Sequence, residues 1–421
     1  MSAFFADRER RKLAWSLGAN MLTRIPSLAM VFLVLPLLIT GLGQERYAAM
    51  FAALALGGLG TIPMAGNGIF GVRMIGDAAS RGDHEGEASA FLSLAIVNFS
   101  LGFAMIALAT IIMIARGNGA ALVCVALLPI VQGMCNGTFD NARLAYNEHY
   151  WTAGLALSLQ VAWYSLILLV PAFRHHVLLA ATVFHAPITL ASITNGVLLL
   201  RARPYLLRGR AADPRGMLRA GLSFGAAEGL VMGALGVVVI YLQATSTASV
   251  TAWFATQNRL FQMCLTPLLM ILVPLGGFIR LKWAGAGDRR QRDAIKAAYA
   301  AGAVALIGMT IGLSVIGPYY ARHWLHLEPP GDVGLLLPLF ALFGAITFYR
   351  CFAAIAYLVL DGVWLAHRVI ASVLVAGVAA LLATRFLAPV PTFSVFAAGA
   401  AFLIVAALSQ SARHTLAGRP A

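Results

Sequence analysis

Long apolar runs separated by short polar segments dominate the sequence from residue 13 onward. Each run holds about 20 to 30 residues, enough at about 1.5 Å per residue to cross a hydrocarbon core about 30 Å thick. Because a backbone inside lipid must satisfy its own hydrogen bonds, runs of this length are expected to be helices. The pattern predicts twelve spans, at 13–40, 47–72, 89–115, 119–141, 151–173, 176–200, 219–244, 249–279, 296–318, 334–360, 366–387 and 392–411.

A weak internal repeat relates the first six predicted spans to the last six. The segment Ala49–Ala52 matches Ala252–Ala255, and Gly82-Asp83 in a polar loop recurs as Gly287-Asp288. Repeats of six spans keep the same orientation in the membrane, an arrangement typical of transporters that bind substrate between two halves. The sequence therefore predicts an N-terminal bundle (1–200), a basic cytoplasmic linker (201–218) and a C-terminal bundle (219–421).

Composition places the chain in a membrane. Of its 421 residues, 60% are hydrophobic and only 11% are charged, whereas soluble domains carry about 25% charged residues. The predicted spans put 22 of the 30 Lys and Arg residues on one side and five on the other. This bias predicts that both termini are cytoplasmic. The net charge of +14 then reflects contact with anionic membrane lipids, and nucleic acid is not an expected partner.

Three arginines lie deep within predicted spans, where a charge is costly and normally faces a protein interior or a watery cavity. They are Arg24 in span one, Arg259 in span eight and Arg350 in span ten. One deep carboxylate, Glu228 in span seven, is available to neutralise them. The surplus of positive charge predicts a binding site for an anionic substrate. Structural pairing with Glu228 or with backbone carbonyls is the alternative for Arg24 and Arg350, and hydrogen bonding between helices is the alternative for Arg259.

Polar residues accompany Arg259 along one helical face. Asn258 and Gln262 fall beside it at helical spacing, which turns this stripe away from lipid. They are predicted to line the substrate site together with the arginine. Hydrogen bonding between neighbouring helices, worth about 0.6–2 kcal/mol per contact, is an equally good interpretation of the two neutral residues.

Two carboxylates are candidates for binding a coupling ion, either a proton or Na⁺. Glu228 could carry the ion, neutralise an arginine, or lie near the membrane surface. Asp140 shares one face of span four with Gln132 and Asn136, at spacings of four and eight residues. For Asp140, a local ion pair with Arg143 is the favoured expectation, and ion coupling is the alternative.

Enzyme signatures are absent from the sequence. It contains no HExxH metal motif and no phosphate-binding G-x-x-x-x-G-K-[ST] loop, so neither a metal nor any other cofactor is expected. A membrane glycosyltransferase or ligase would place its reactive side chains in an outer loop. The cluster Arg322, His323 and His326 is the candidate for that alternative, and a transporter is the preferred interpretation.

The chain resembles the Wzx-type polysaccharide flippases of the exporter superfamily that also includes MATE transporters. The resemblance rests on the basic N-terminus, the segment Leu42–Tyr47 after span one, a glycine-rich second span and the repeated Gly-Asp loops. It implies an all-α, MATE-like membrane fold of about twelve helices in two six-helix bundles.

In function, the resemblance implies a protein that flips an undecaprenyl-diphosphate-linked oligosaccharide by alternating access, for capsule, exopolysaccharide or O-antigen assembly. The diphosphate is then expected among Arg24, Arg259 and Arg350. A glycan polymerase and glycosyltransferases of the same pathway are the expected protein partners. A MATE-like, cation-coupled exporter of small molecules is the main alternative.

Overall fold

Helices account for all the regular secondary structure in the described part of a computed structural model of the chain. The described residues are 18, 24–146, 148–211, 213–283, 288–328, 337–359, 371–372, 375–376 and 397–406. They divide between two compact units, Met1–Gly229 and Leu230–Ala421. The predicted all-α fold is confirmed.

The first unit contains most of the described helices. They are α1 (Arg24–Ala29), α2 (Leu35–Leu59), α3 (Ile62–Ser80), α4 (His84–Ala115), α5 (Ala120–Cys135), α6 (Asn141–Ala145), α7 (His149–Leu169), α8 (Ala172–His175), α9 (Val177–Ala202) and the start of α10 (Pro214–Thr245). π-Helical turns at Met30–Val34 and Asn136–Asp140 join α1 to α2 and α5 to α6, and Pro204–Leu207 forms a 3₁₀ turn after α9.

The second unit continues α10 and adds three long helices and a short one. They are α11 (Ala248–Trp283), α12 (Asp288–Trp324), α13 (Leu337–Val359) and the segment Ala397–Ala406. The ring of Phe261 on α11 stacks on that of Phe343 on α13, with centroids 4.5 Å apart and planes 9° apart. This contact fixes the relative level of the two helices that carry Arg259 and Arg350.

Helix positions agree with the predicted spans two to ten to within a few residues at most boundaries, although several helices extend further at one end. Five described helices are long and apolar enough to cross a membrane: His84–Ala115, Ala120–Ala145, Tyr150–Leu169, Val177–Ala202 and Ala300–Trp324. Their number, length and apolar character are those of a protein that spans a membrane. Most of span eleven, half of span twelve and most of the first half of span one lie outside the described residues.

The loop motif Gly82-Asp83 has a clear local role. Gly82 adopts a left-handed conformation (φ +67°), which a residue without a Cβ enters at little cost. Asp83 then caps α4, because its Oδ1 accepts a hydrogen bond of 2.8 Å from the backbone N–H of Gly86. In the second unit, α11 ends at Trp283 and α12 begins at Asp288, 203 and 204 positions after the matching bounds of α3 and α4.

A second glycine marks the predicted turn between spans one and two, at 41–46. Gly43 has φ 75° and ψ 161°, which interrupts the helical conformation of α2. The charged residues Glu45 and Arg46 directly after it are exposed. The domain bounds proposed from the sequence, with the division at the linker 201–218, remain a prediction.

Candidate functional site

A cavity of about 320 Å³ opens within the first unit, beside the π-helical turn Asn136–Asp140. π-Helical turns leave backbone groups outside the regular α-helical pattern and are frequent at functional sites. The lining combines apolar with polar side chains and contains one carboxylate. It is formed by Thr61, Met64, Ala65, Gly133, Asn136, Gly137, Asp140, Asn141 and Leu144.

Asp140 is the charged residue of this cavity, and its side chain is only 8% exposed. Its carboxylate faces α9: Oδ2 lies 2.6 Å from Ser192 Oγ, and Oδ1 accepts a 3.2 Å hydrogen bond from Asn195 Nδ2. Burying a carboxylate is costly unless hydrogen bonds or a cation compensate for the lost water. The contacts with Ser192 and Asn195 therefore compensate for part of the cost of burying this carboxyl group.

The hydroxyl of Ser192 has more acceptors around it than one hydrogen can serve. Its Oγ lies 2.6 Å from Asn136 Oδ1, 2.6 Å from Asp140 Oδ2 and 3.0 Å from the carbonyl oxygen of Ile188. A proton on Asp140 Oδ2, donated to Ser192, leaves the serine hydrogen for Asn136. Protonation of Asp140 would therefore satisfy both contacts of Ser192 at once.

The expected ion pair between Asp140 and Arg143 is wrong. Asn195 lies between the two residues: its Oδ1 accepts a 2.9 Å hydrogen bond from Arg143 Nε, and its Nδ2 donates to Asp140. The same Nδ2 also donates to Thr152 Oγ1 at 2.6 Å. Arg143 instead pairs with Glu148, five residues further along the chain and near the end of the span, at 2.5 Å. Asp140 is therefore held by hydrogen bonds to neutral side chains, and Arg143 forms its ion pair with Glu148.

Glu148 joins two arginines at the same end of the unit. Besides Arg143, it accepts hydrogen bonds of 2.8 and 3.1 Å from both terminal nitrogens of Arg203, whose guanidinium stacks over the ring of Tyr146 at 3.9 Å. Burial by itself raises the pKa of Glu148, but the hydrogen bonds and charges of Arg203 and Arg143 outweigh it. The net pKa of Glu148 lies below the usual glutamate value.

We expect Glu148→Gln to lower the free energy of unfolding by about 2 kcal/mol at neutral pH, since hydrogen bonds to a charged group are lost. Because the folded pKa lies below the unfolded value of about 4.3, the ionised Glu148 stabilises the fold above that value. This stability is lost as the pH falls through the folded pKa. Acidification should therefore lower the melting temperature of the purified variant less than that of the unsubstituted protein.

Glu85→Gln is the matched control for this measurement, because Glu85 is an exposed carboxylate at the start of α4. Its melting temperature and acid response should stay near those of the unsubstituted protein. Equal melting temperatures for Glu148→Gln and the unsubstituted protein at pH 7 would contradict the stabilising role of this ion pair.

A second buried carboxylate, Glu87, lies at the start of α4 and is 3% exposed. Its Oε2 accepts hydrogen bonds of 2.7 Å from the hydroxyl groups of Tyr146 and Tyr205, and its Oε1 lies 3.1 Å from His84 Nδ1. Tyr205 belongs to the 3₁₀ turn Pro204–Leu207. Glu87 therefore ties the start of the predicted linker to the first unit.

Two of the three predicted substrate arginines lie in the second unit. Arg259 on α11 and Arg350 on α13 are both half-buried. Arg259 precedes Phe261 by two residues and Arg350 follows Phe343 by seven, so the two arginines lie at different levels relative to the stacked rings. The sequences of α11 and α13 contain no acidic residue. This pair of helices therefore carries positive charge at two levels.

The structure describes the side chains of two of the four remaining predicted site residues. Asn258 is partly exposed, and its Oδ1 is a buried acceptor without a hydrogen-bond partner among the described residues. Gln262 is partly buried on the same helix. Arg24 begins α1 and Glu228 lies on α10, but their side chains are outside the described part of the structure. The role of each of these four residues remains a prediction.

Sequence reasoning missed the partners of Asp140 on α9. His185, Thr189, Ser192 and Asn195 follow one another at helical spacing, and His185 Nδ1 lies 2.6 Å from Gln132 Oε1. Gln132, Asn136 and Asp140 all meet this stripe. Each of two apolar helices in the same half of the sequence carries a polar stripe. This shared feature is the signal that could have indicated a contact between the two stripes.

No protein-family model and no curated protein matches the chain, but several solved structures share its fold. An inward-facing multidrug resistance MATE family transporter of the MOP superfamily has a TM-score of 0.57 at 13% identity, over 95% of this chain and 98% of that one. A MATE protein in the bent conformation gives 0.55 at 14%, over 97% and 96%. The eukaryotic MATE transporter AtDTX14 gives 0.51 at 15%, over 98% and 99%. At these identities, the similarity shows a shared fold.

Proposed function

We propose that this protein is a membrane exporter that works by alternating access and takes up a coupling cation at Asp140. The observation that carries the proposal is a buried carboxyl group in a polar cavity among membrane helices. The likeness of fold to MATE transporters supports it. Such a protein moves its substrate without chemical change, so no catalytic residue and no cofactor is assigned.

A proton is the coupling cation we propose. The crowding of acceptors around Ser192 is relieved when Asp140 carries a proton. Loss of this proton leaves a buried carboxylate whose remaining donors are amide and hydroxyl groups, a state that a change of conformation or of hydration would relieve. Glu228, whose sequence position lies within predicted span seven, is the other candidate for this role.

For the substrate we propose a lipid-linked glycan with an anionic headgroup. The positive charges of Arg259 and Arg350 lie at two levels on helices without acidic residues, which suits an elongated polyanion such as a diphosphate followed by acidic sugars. Arg24 supplies a third positive charge at a similar sequence depth. The resemblance of the sequence to polysaccharide flippases points to the same class of substrate and to bacterial glycan assembly in the inner membrane.

Export of small molecules is the second candidate function. One solved structure of the same fold is a multidrug resistance transporter, and the cavity in the first unit carries an acid, which suits an organic cation. The two candidates differ in the sign of the substrate charge. The arginines of the second unit favour the anion, and Asp140 alone would favour the cation.

A strain that lacks this gene separates the two functions. If the protein exports a lipid-linked glycan, the strain should lose glycan at its surface and accumulate the lipid-linked precursor inside, and a plasmid copy should restore both. Retention of a fluorescent organic cation should not change. Normal surface glycan together with higher retention of the dye would instead support the small-molecule exporter.

A further inference from the structure

A continuous hydrogen-bonded chain leads from the buried carboxyl group of Asp140 to the segment that connects the two halves of the sequence. Asn195 contacts Asp140, Arg143 contacts Asn195, and Glu148 contacts Arg143. Glu148 in turn binds Arg203, directly before the 3₁₀ turn Pro204–Leu207. Every donor–acceptor distance along this chain is 3.2 Å or shorter.

Asn195 is the two-sided member of this chain. It is 0% exposed, its Nδ2 donates toward Asp140 and its Oδ1 accepts from Arg143. A rigid carboxamide cannot turn one end without turning the other. A change in the charge of Asp140 alters the strength of its hydrogen bond with Nδ2, because bonds to an ionised carboxylate are about twice as strong as bonds to a neutral group. The same change alters how well Oδ1 is held toward Arg143.

The linker end of the chain is docked on the first unit. Leu206 is fully buried in a cluster with Ile75, Phe91 and Leu94, and Tyr205 donates its hydroxyl hydrogen to Glu87. An added Cβ on Gly209 would come within 2.7 Å of Ala88, so the chain is still in contact with α4 at that point. The predicted linker thus begins as a fixed part of the first unit, held partly by Arg203.

We propose that Asn195 is a positioning residue that transmits the charge state of Asp140 to the docking of the linker segment 203–209. This inference rests on the proposed function, because it takes Asp140 as the cation site. When Asp140 is ionised, Asn195 is held in place, Arg143 keeps its alignment with Glu148, and the linker start stays docked. When Asp140 takes up its cation, this hold weakens and the segment undocks more often.

Amide hydrogen exchange of the full-length purified protein tests this relay, which runs from Asp140 through Asn195, Arg143 and Glu148 to Arg203. The pH is fixed and alkaline, so that Asp140 of the unsubstituted protein is ionised. The reporters are the backbone N–H groups of Leu206 and Arg208, which donate to the carbonyl groups of Arg203 and Tyr205. Asp140→Asn, a neutral side chain of the same shape, should raise their exchange about fivefold. Asn195→Ala should raise it by a similar factor. The double variant should exchange no faster than Asn195→Ala alone, because the relay is already broken.

Thr189→Ala is the matched control. Thr189 lies six residues before Asn195 on α9, and its hydroxyl donates to the carbonyl oxygen of His185. This variant should leave the linker exchange unchanged. The amide of Asn118, in the turn between α4 and α5 and bonded to the carbonyl of Met113, serves as an internal reference, since general loosening of the fold would raise its exchange as well.

The relay would be overturned if Asp140→Asn and Asn195→Ala raised the amide exchange of the linker additively. It would also be overturned if Asp140→Asn left this exchange unchanged. Loss of transport in Asp140→Asn together with an unchanged linker contradicts the relay alone. Normal transport in Asp140→Asn contradicts the proposed function, whatever the linker does. Transport and exchange, measured on the same preparation, therefore distinguish the two failures.

Discussion

Gradient-driven export should fall to the level of protein-free vesicles when Asp140 is replaced by asparagine. The amide keeps the shape of the side chain: its oxygen can accept the hydrogen bond from Asn195, and its nitrogen can donate to Ser192 Oγ. It cannot take up and release a proton, so the site is fixed in one charge state. A transporter that must alternate between charge states then binds its substrate but does not complete the cycle. Two measurements test this expectation: the transport rate per folded molecule, which should be lost, and the binding of substrate, which should be retained.

Asp77→Asn is the control for this experiment, because Asp77 is an exposed carboxylate on α3. Export by this variant should equal that of the unsubstituted protein. Full gradient-driven export by Asp140→Asn would refute cation coupling at that residue. If Glu228→Gln abolished export in the same comparison, the coupling ion would be assigned to Glu228 instead.

Alanine at Arg259 or Arg350 should lower glycan export about tenfold each, the effect of losing a charge-assisted hydrogen bond to an anionic substrate. Arg24→Ala should behave in the same way. Lysine at these positions keeps the charge but loses the planar fork that binds phosphate through two nitrogens, so it should restore export only in part. Export of the glycan by a strain without the native gene, normalised to protein in the membrane, gives the measurement.

Arg322→Ala is the matched control, since Arg322 is exposed at the end of α12 and pairs with the exposed Glu328 at 3.2 Å. It should leave export unchanged. A deep arginine kept only for structure should instead lower the amount of inserted protein when replaced, because its buried partner then lacks a counter-charge. Full export by the triple alanine variant at normal abundance would contradict an anionic substrate site at these arginines.

The sequence predicted the helices well because lipid leaves the backbone few choices. The apolar runs of spans two to ten coincide with helices α2 to α13, and the predicted turn at 41–46 contains the break at Gly43. The loop motif Gly82-Asp83 could also be interpreted, since a left-handed glycine followed by a capping aspartate is a local arrangement. Each of these features depends on residues near one another in the chain.

The partners of Asp140 could not be predicted in the same way. Ser192 and Asn195 lie more than 50 residues away in sequence, on a helix whose rotation relative to α5 is set by packing. The expectation of an Asp140–Arg143 pair relied on a spacing of three residues. It failed because Glu148, near the end of the span, attracts Arg143 more effectively, while amide and hydroxyl groups meet Asp140. Polar pairing between helices depends on three-dimensional contacts that a single sequence does not specify.

The most direct test of a proton-coupled flippase is translocation of a lipid-linked acidic oligosaccharide across vesicles that contain the purified protein. With a proton gradient imposed, the unsubstituted protein should move the headgroup to the opposite leaflet, and collapse of the gradient should stop it. Asp140→Asn vesicles should show no gradient-driven movement, although they bind the lipid. Equal gradient-driven translocation by the unsubstituted protein and by Asp140→Asn would contradict the account.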